Sequence, residues 1–175
     1  MILVHSDDVR GWLVEMDALG YVKFWGVDAG GNWQSAPGWG ATLRANTWAH
    51  VAVTYDGAVA RVYLDGALVG SGTIGALSSG PRFQLGEMTT YPHFDGRIDE
   101  VRLSAGVRYG TSFAPPGAPF ANDASTLALY HLDEGAGQTA ADASGNGHPL
   151  TLGATSAAEP SDPVWVVSTA PLGGP

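Results

Sequence analysis

At 175 residues, with 45% hydrophobic and only 14% charged side chains, the chain is long enough for a two-layer core and too apolar to be disordered. Its 17 acidic against 8 basic residues give a formal charge of −9. That argues against nucleic acid or an anionic membrane as the main partner, because both demand basic patches, and it leaves room for a cation. With no cysteine there are no disulfides, thiolate metal sites or cysteine nucleophile, which is compatible with secretion without requiring it. No signal peptide precedes the first strand, and no apolar run is long enough for membrane insertion, so the expectation is a soluble chain.

Twenty-five glycines and eleven prolines are spread between short apolar runs, as in proteins made of strands and turns. In chain order, strands are predicted over residues 2–5, 12–16 and 21–27. Trp25, Asn32, Trp33, Gln34 and Trp39 lie in a Gly-rich stretch that reads as a long loop. Strands over 47–55 and 59–64 flank Asp56-Gly57, a hairpin dipeptide, and a second Asp-Gly at Asp65-Gly66 returns the chain into a strand over 67–71. Further strands are predicted over 83–87, 97–104, 126–132, 150–152 and 164–168. In 47–55, Trp48, His50, Ala52 and Thr54 share one face and Ala49, Val51, Val53 and Tyr55 the other. Both faces are largely apolar, which predicts a central strand. In 97–104 the parity breaks between Ile98 and Val101, and a bulge at Asp99-Glu100 would repair it and re-aim both carboxylates. Pro115-Pro116-Gly117-Ala118-Pro119 is a stiff connection. The predicted division is therefore 1–113, a Pro-rich connection over 114–125, and 126–175, ending in a frayed tail from Leu172.

Two groups of motifs carry a resemblance. The first is Trp48-Ala49-His50-Val51-Ala52-Val53-Thr54-Tyr55-Asp56-Gly57, with Val62-Tyr63-Leu64-Asp65-Gly66 and Phe94-Asp95-Gly96-Arg97-Ile98-Asp99-Glu100-Val101-Arg102. The second is Leu129-Tyr130-His131-Leu132-Asp133-Glu134-Gly135-Ala136-Gly137, with Ala141-Asp142-Ala143-Ser144-Gly145-Asn146-Gly147. Together they resemble the laminin G-like jelly rolls of the concanavalin A-like lectin/glucanase superfamily. The resemblance implies an all-β fold, a two-sheet antiparallel β-sandwich. Words that open a domain in the family come last here, so the strand order is altered. The chain reads either as a circular permutation or as a fragment spanning two repeats. Both readings predict exposed strand edges and hence a homodimer.

The resemblance also implies a structural calcium, with Asp99, Asp142 and Asn146 on the matching positions; hard oxygen ligands from loops are what calcium requires. The same Asp142–Gly147 run reads equally as a stack of Asx turns. For carbohydrate, Trp25, Asn32, Trp33 and Trp39 offer aromatic faces and amides, with Gln34 beside them; packing of Trp25 and Trp33 in the interior is the competing reading. His5 with Asp7, and His131 with Asp133, each place a histidine and an acid two residues apart at a strand end. In extended backbone that aims both at one side, a ligand pair for zinc, manganese or iron. With His93 and His148 assisting, two such pairs would hold a metal-bound water able to attack a phosphate or carboxylic ester. His50 reads as a packed core histidine. No nucleophile elbow or phosphate loop is present, and Glu15, Glu87, Glu100, Glu134 and Glu159 form no close pair of the kind glycosidases use. The leading expectation is a non-catalytic binding or adhesion module for a glycan or cell-surface polysaccharide, in an extracellular or virion-associated protein. A metal-dependent hydrolase using His5, His93 and His131 is the alternative, and a purely structural repeat the third.

Overall fold

The computed structural model describes residues 1–7, 10–80, 82–87 and 92–172; Gly173 to Pro175 of the predicted tail lie outside them. Every regular element among the described residues is a β-strand. The chain divides into two compact units: Met1–Gly96 with Gly106–Pro115, and Arg97–Ala105 with Pro116–Pro175.

The first unit holds two antiparallel sheets. One is five-stranded, built from β1 (Leu3–Ser6), β2 (Gly11–Met16), β3 (Tyr21–Val27), β4 (Trp33–Thr42) and β8 (Gln84–Leu85) in the order β4-β3-β2-β1-β8. The other is β5 (Val51–Tyr55), β6 (Val59–Leu64) and β7 (Ala67–Thr73), in that order. Alternation decides what faces inward: Val14, Val22, Phe24 and Ala36 from the first sheet meet Ala60 and Val62 from the second, closed by Ile74. The Asp65-Gly66 turn works as its dipeptide predicts, with φ of 49° and 76° at the two positions.

Two expectations need correction. The stretch read as a long loop contains β4, ten residues long and on the edge of its sheet. An edge strand tolerates Pro37, whose missing N–H leaves no gap in a central ladder. Where it meets β7 small residues are required on both strands: a side chain on Gly40 would come within 2.9 Å of the Val69 oxygen, one on Gly70 of β7 would run into the Pro37 carbonyl oxygen, and one on Gly72 would come within 2.6 Å of the Ser35 oxygen. The second correction concerns β5, predicted to be central but found at the end of its sheet. Both its faces are apolar because both are covered. Val51, Val53 and Tyr55 pack on the core. On the other face His50 meets the rings of Tyr109 and Phe113 edge-on, and Thr54 Oγ1 donates to the Tyr109 carbonyl. Tyr63 is wholly buried under the same segment and also donates to the Tyr109 carbonyl, at 3.0 Å.

In the second unit β9 (Val101–Ser104) pairs with β10 (Thr126–Tyr130), and β11 (Thr139–Ala140) with β12 (Leu150–Thr151). The parity break before Val101 is resolved by Glu100, whose φ of 51° turns the chain just ahead of β9. Residues 164–168, predicted as a strand, pair with no other strand among the described residues. No helix there is long and apolar enough to cross a membrane.

Candidate functional site

The outward side of the five-stranded sheet carries a shallow depression of about 180 Å³ lined by Leu13, Glu15, Trp25 and Trp33. Its position follows from register. Leu13 stands opposite Trp25 and Glu15 opposite Lys23 across β2 and β3, and Trp25 stands opposite Ser35 on β4. Lys23 does not reach across to Glu15; its ammonium lies 2.9 Å from Asp17, whose carboxyl it holds below the usual range. Glu15 instead accepts the Trp25 indole N–H through Oε1 at 2.8 Å, which fixes the orientation of that ring. Met1, Val4 and Leu13, all buried, pack with Trp25 in one cluster. Trp33, 40% exposed, forms the open wall.

The predicted aromatic set is thus partly assembled. Trp25 and Trp33 line one depression, while Trp39, 68% exposed, sits six residues further along β4. At about 3.3 Å per residue that is roughly 20 Å away. Asn32 serves the turn between β3 and β4: its amide nitrogen donates to Asp28, as do its N–H and that of Gly30. Those bonds, led by the Asn32 N–H, hold the Asp28 carboxyl below its ordinary range against the pull of burial. Gln34 bridges Asp28 at 2.7 Å and the Gly75 N–H at 2.6 Å. Sequence reasoning missed Leu13 and Glu15. The signal was present, a carboxylate at mid-strand on the same parity as an apolar neighbour, but it needed the β2–β3 register to be read.

Residues 1–111 match the model of the concanavalin A-like lectin/glucanases superfamily, in its laminin G-like form. The chain belongs to that family. No curated protein and no solved structure matches it. Membership of this laminin G-like family suggests a non-catalytic binding module.

The remaining predicted residues take other places. Asp142 Oδ1 accepts the N–H groups of Leu129 and Ser144, and Oδ2 that of His148. The Asn146 amide nitrogen donates to the carbonyls of Thr126 and Leu127, each at 3.0 Å. Asp99 accepts the Ser168 hydroxyl. The Asp142 carboxylate and the Asn146 amide nitrogen are therefore engaged with backbone, in the manner of the Asx-turn reading. The histidine–acid pairs also diverge. His5 packs beside Trp12 at 5.5 Å in the first unit, while Asp7 binds Arg10. In the second unit Leu132 has φ 61°, which breaks the extended geometry that would have aligned His131 with Asp133; His131 Nδ1 instead lies 2.8 Å from Glu100. His93 is exposed, 3.8 Å from Glu87. His148 serves the loop through its backbone, its carbonyl accepting the Tyr130 hydroxyl. Among the described residues no group of three histidine or acidic side chains is placed to hold a metal ion.

Proposed function

We propose that the chain is a carbohydrate-binding module, from an extracellular or virion-associated protein, whose glycan lies across the depression formed by Glu15, Trp25 and Trp33. The observation that supports this most is the Glu15–Trp25 hydrogen bond, which presents an oriented carboxylate in the same depression as the exposed Trp33. A sugar has an apolar C–H face and a rim of hydroxyls. The first can stack on Trp33, and the second can donate to the Glu15 carboxylate. Concave, largely apolar sites with a few placed polar groups are how small ligands are held. Pre-ordering of Glu15 and Trp25 by their mutual hydrogen bond limits the entropy lost on binding. Trp39 would meet a longer polysaccharide further along β4.

Glycan-array screening followed by calorimetry on the best oligosaccharide tests this. Trp33→Ala is expected to weaken binding about tenfold or more, equivalent to about 1.4 kcal/mol. Glu15→Gln should weaken it less, and Trp39→Ala should matter only for long chains. Array signals unchanged in both Trp33→Ala and Glu15→Gln would remove this site.

A further inference from the structure

The second unit has a larger depression of about 310 Å³, lined by Leu132, Asp133, Gly135, Trp165, Val166, Val167 and Ser168. Several features single it out. The Trp165 indole N–H donates to the Gly137 carbonyl at 2.8 Å, so the ring is fixed rather than free to rotate, while part of it stays accessible. Asp133 is exposed at the same wall. Ser168 is anchored by its hydroxyl to Asp99, which brings a second carboxylate against the lining. No basic residue lines the depression. The surrounding charge is as one-sided as the lining. This unit carries eight acidic side chains against two arginines, six of the nine net negative charges of the chain. One of those arginines, Arg102, lies with its guanidinium 4.3 Å from the centre of the Phe120 ring.

We propose that this depression is a docking site for the cationic side chain of a lysine- or arginine-rich partner protein. The volume is at the lower end of small-ligand sites, which suits one extended side chain. Leu132, Val166 and Val167 would cover its aliphatic stem. The ammonium or guanidinium would meet the Trp165 ring and the Asp133 carboxylate together, each worth more when the stem excludes water. The net charge of the unit would draw a basic partner toward it from beyond contact range.

The test uses the ¹⁵N-labelled full chain and three probes: acetylated tetralysine amide, its tetra-arginine counterpart and a tetraserine control. The reporter is the Trp165 indole N–H resonance, assigned by its loss in Trp165→Phe. Both basic peptides are expected to shift that resonance saturably and the serine peptide not at all, with affinity falling as salt is added. Asp133→Asn, an exposed near-isosteric change, should raise the dissociation constant about fivefold, and Trp165→Leu, which removes the reporter and is therefore read by calorimetry, at least as much. Three results would each overturn the proposal: no saturable shift at Trp165; a shift in Asp133→Asn within twofold of the parent, which would indicate diffuse attraction to an acidic surface; or an equal response to a neutral oligosaccharide without salt dependence.

Discussion

Gly70→Ala is expected to destabilise the first unit by at least about 3 kcal/mol, because overpacking against backbone has no flexible side chain to yield. The added Cβ would fall on the carbonyl oxygen of Pro37 and come within 2.8 Å of Gly38 Cα, so β4 and β7 must part before it fits. Gly72→Ala meets the Ser35 oxygen at 2.6 Å and should cost less. Gly110→Ala is the control: nothing lies within 4 Å of its Cβ, and its backbone requires no left-handed conformation. That change should be neutral or stabilising by up to about 1 kcal/mol. Urea unfolding and thermal melts check the series, with Gly70→Ala lowering the melting temperature by about 6–12 °C. A Gly70→Ala protein as stable as Gly110→Ala would show that the two strands do not meet as described.

Asp142→Ala is expected to cost about 2–3 kcal/mol in the second unit, since three N–H groups lose their acceptor and that of Leu129 is deeply buried. The loop it organises is tied to β10 again by the Tyr130 hydroxyl on the His148 carbonyl at 2.7 Å. Burial, with the Asp142 charge nearby, pushes that phenol up to about 12. Burial likewise opposes ionisation of Asp142, but hydrogen bonds from Ser144, Leu129 and His148 outweigh it and bring its pKa down to about 2 from 3.8. A carboxyl depressed on folding contributes stability that is complete above the unfolded value and lost as pH falls from about 4 towards 2. Asp56, held at about 2 chiefly by Arg61, acts in the same window in the first unit. Amide exchange at Leu129 separates the two. It should accelerate between pH 4 and 2 relative to the intrinsic rate, and Asp142→Asn should flatten that dependence. Protection at Leu129 that is indifferent to both substitutions would refute the account.

Where local chemistry decides structure, the sequence was readable. Asp65-Gly66 closes its hairpin because few other dipeptides tolerate positive φ at both positions, and in the Asp56-Gly57 turn Gly57 alone takes that conformation. The alternation in β5 correctly separates Val51, Val53 and Tyr55 from His50, Ala52 and Thr54. Where a distant segment decides, the reading failed. The Gly-, Pro- and Ser-rich run of β4 imitates a loop, because its partners across the core are the glycines of β7 rather than bulky side chains. The position of β5 in its sheet was misjudged because the cover on its outer face comes from residues some 55 positions later, through the Tyr109 carbonyl. The candidate site shows the same division. Trp25 and Trp33 were visible as aromatics, but Glu15 joined them only through the β2–β3 register. His131 and Asp133 were separated by one left-handed residue, Leu132, that no spacing rule reveals.

The contact between β4 and β7 bears on how the chain avoids aggregation. An open strand edge is a template for growth by another molecule, and natural sheets blunt it with proline, charge or cover. Here β4 and β7 each end their own sheet, yet their backbones lie against one another, Gly40 with Val69 and Gly70 with Pro37. The contact is face to face, so each edge strand is braced by the other without a protecting charge. Substitutions that force these strands apart would therefore loosen two edge strands at once, so turbidity on storage should rise in Gly70 variants well before their unfolding transition.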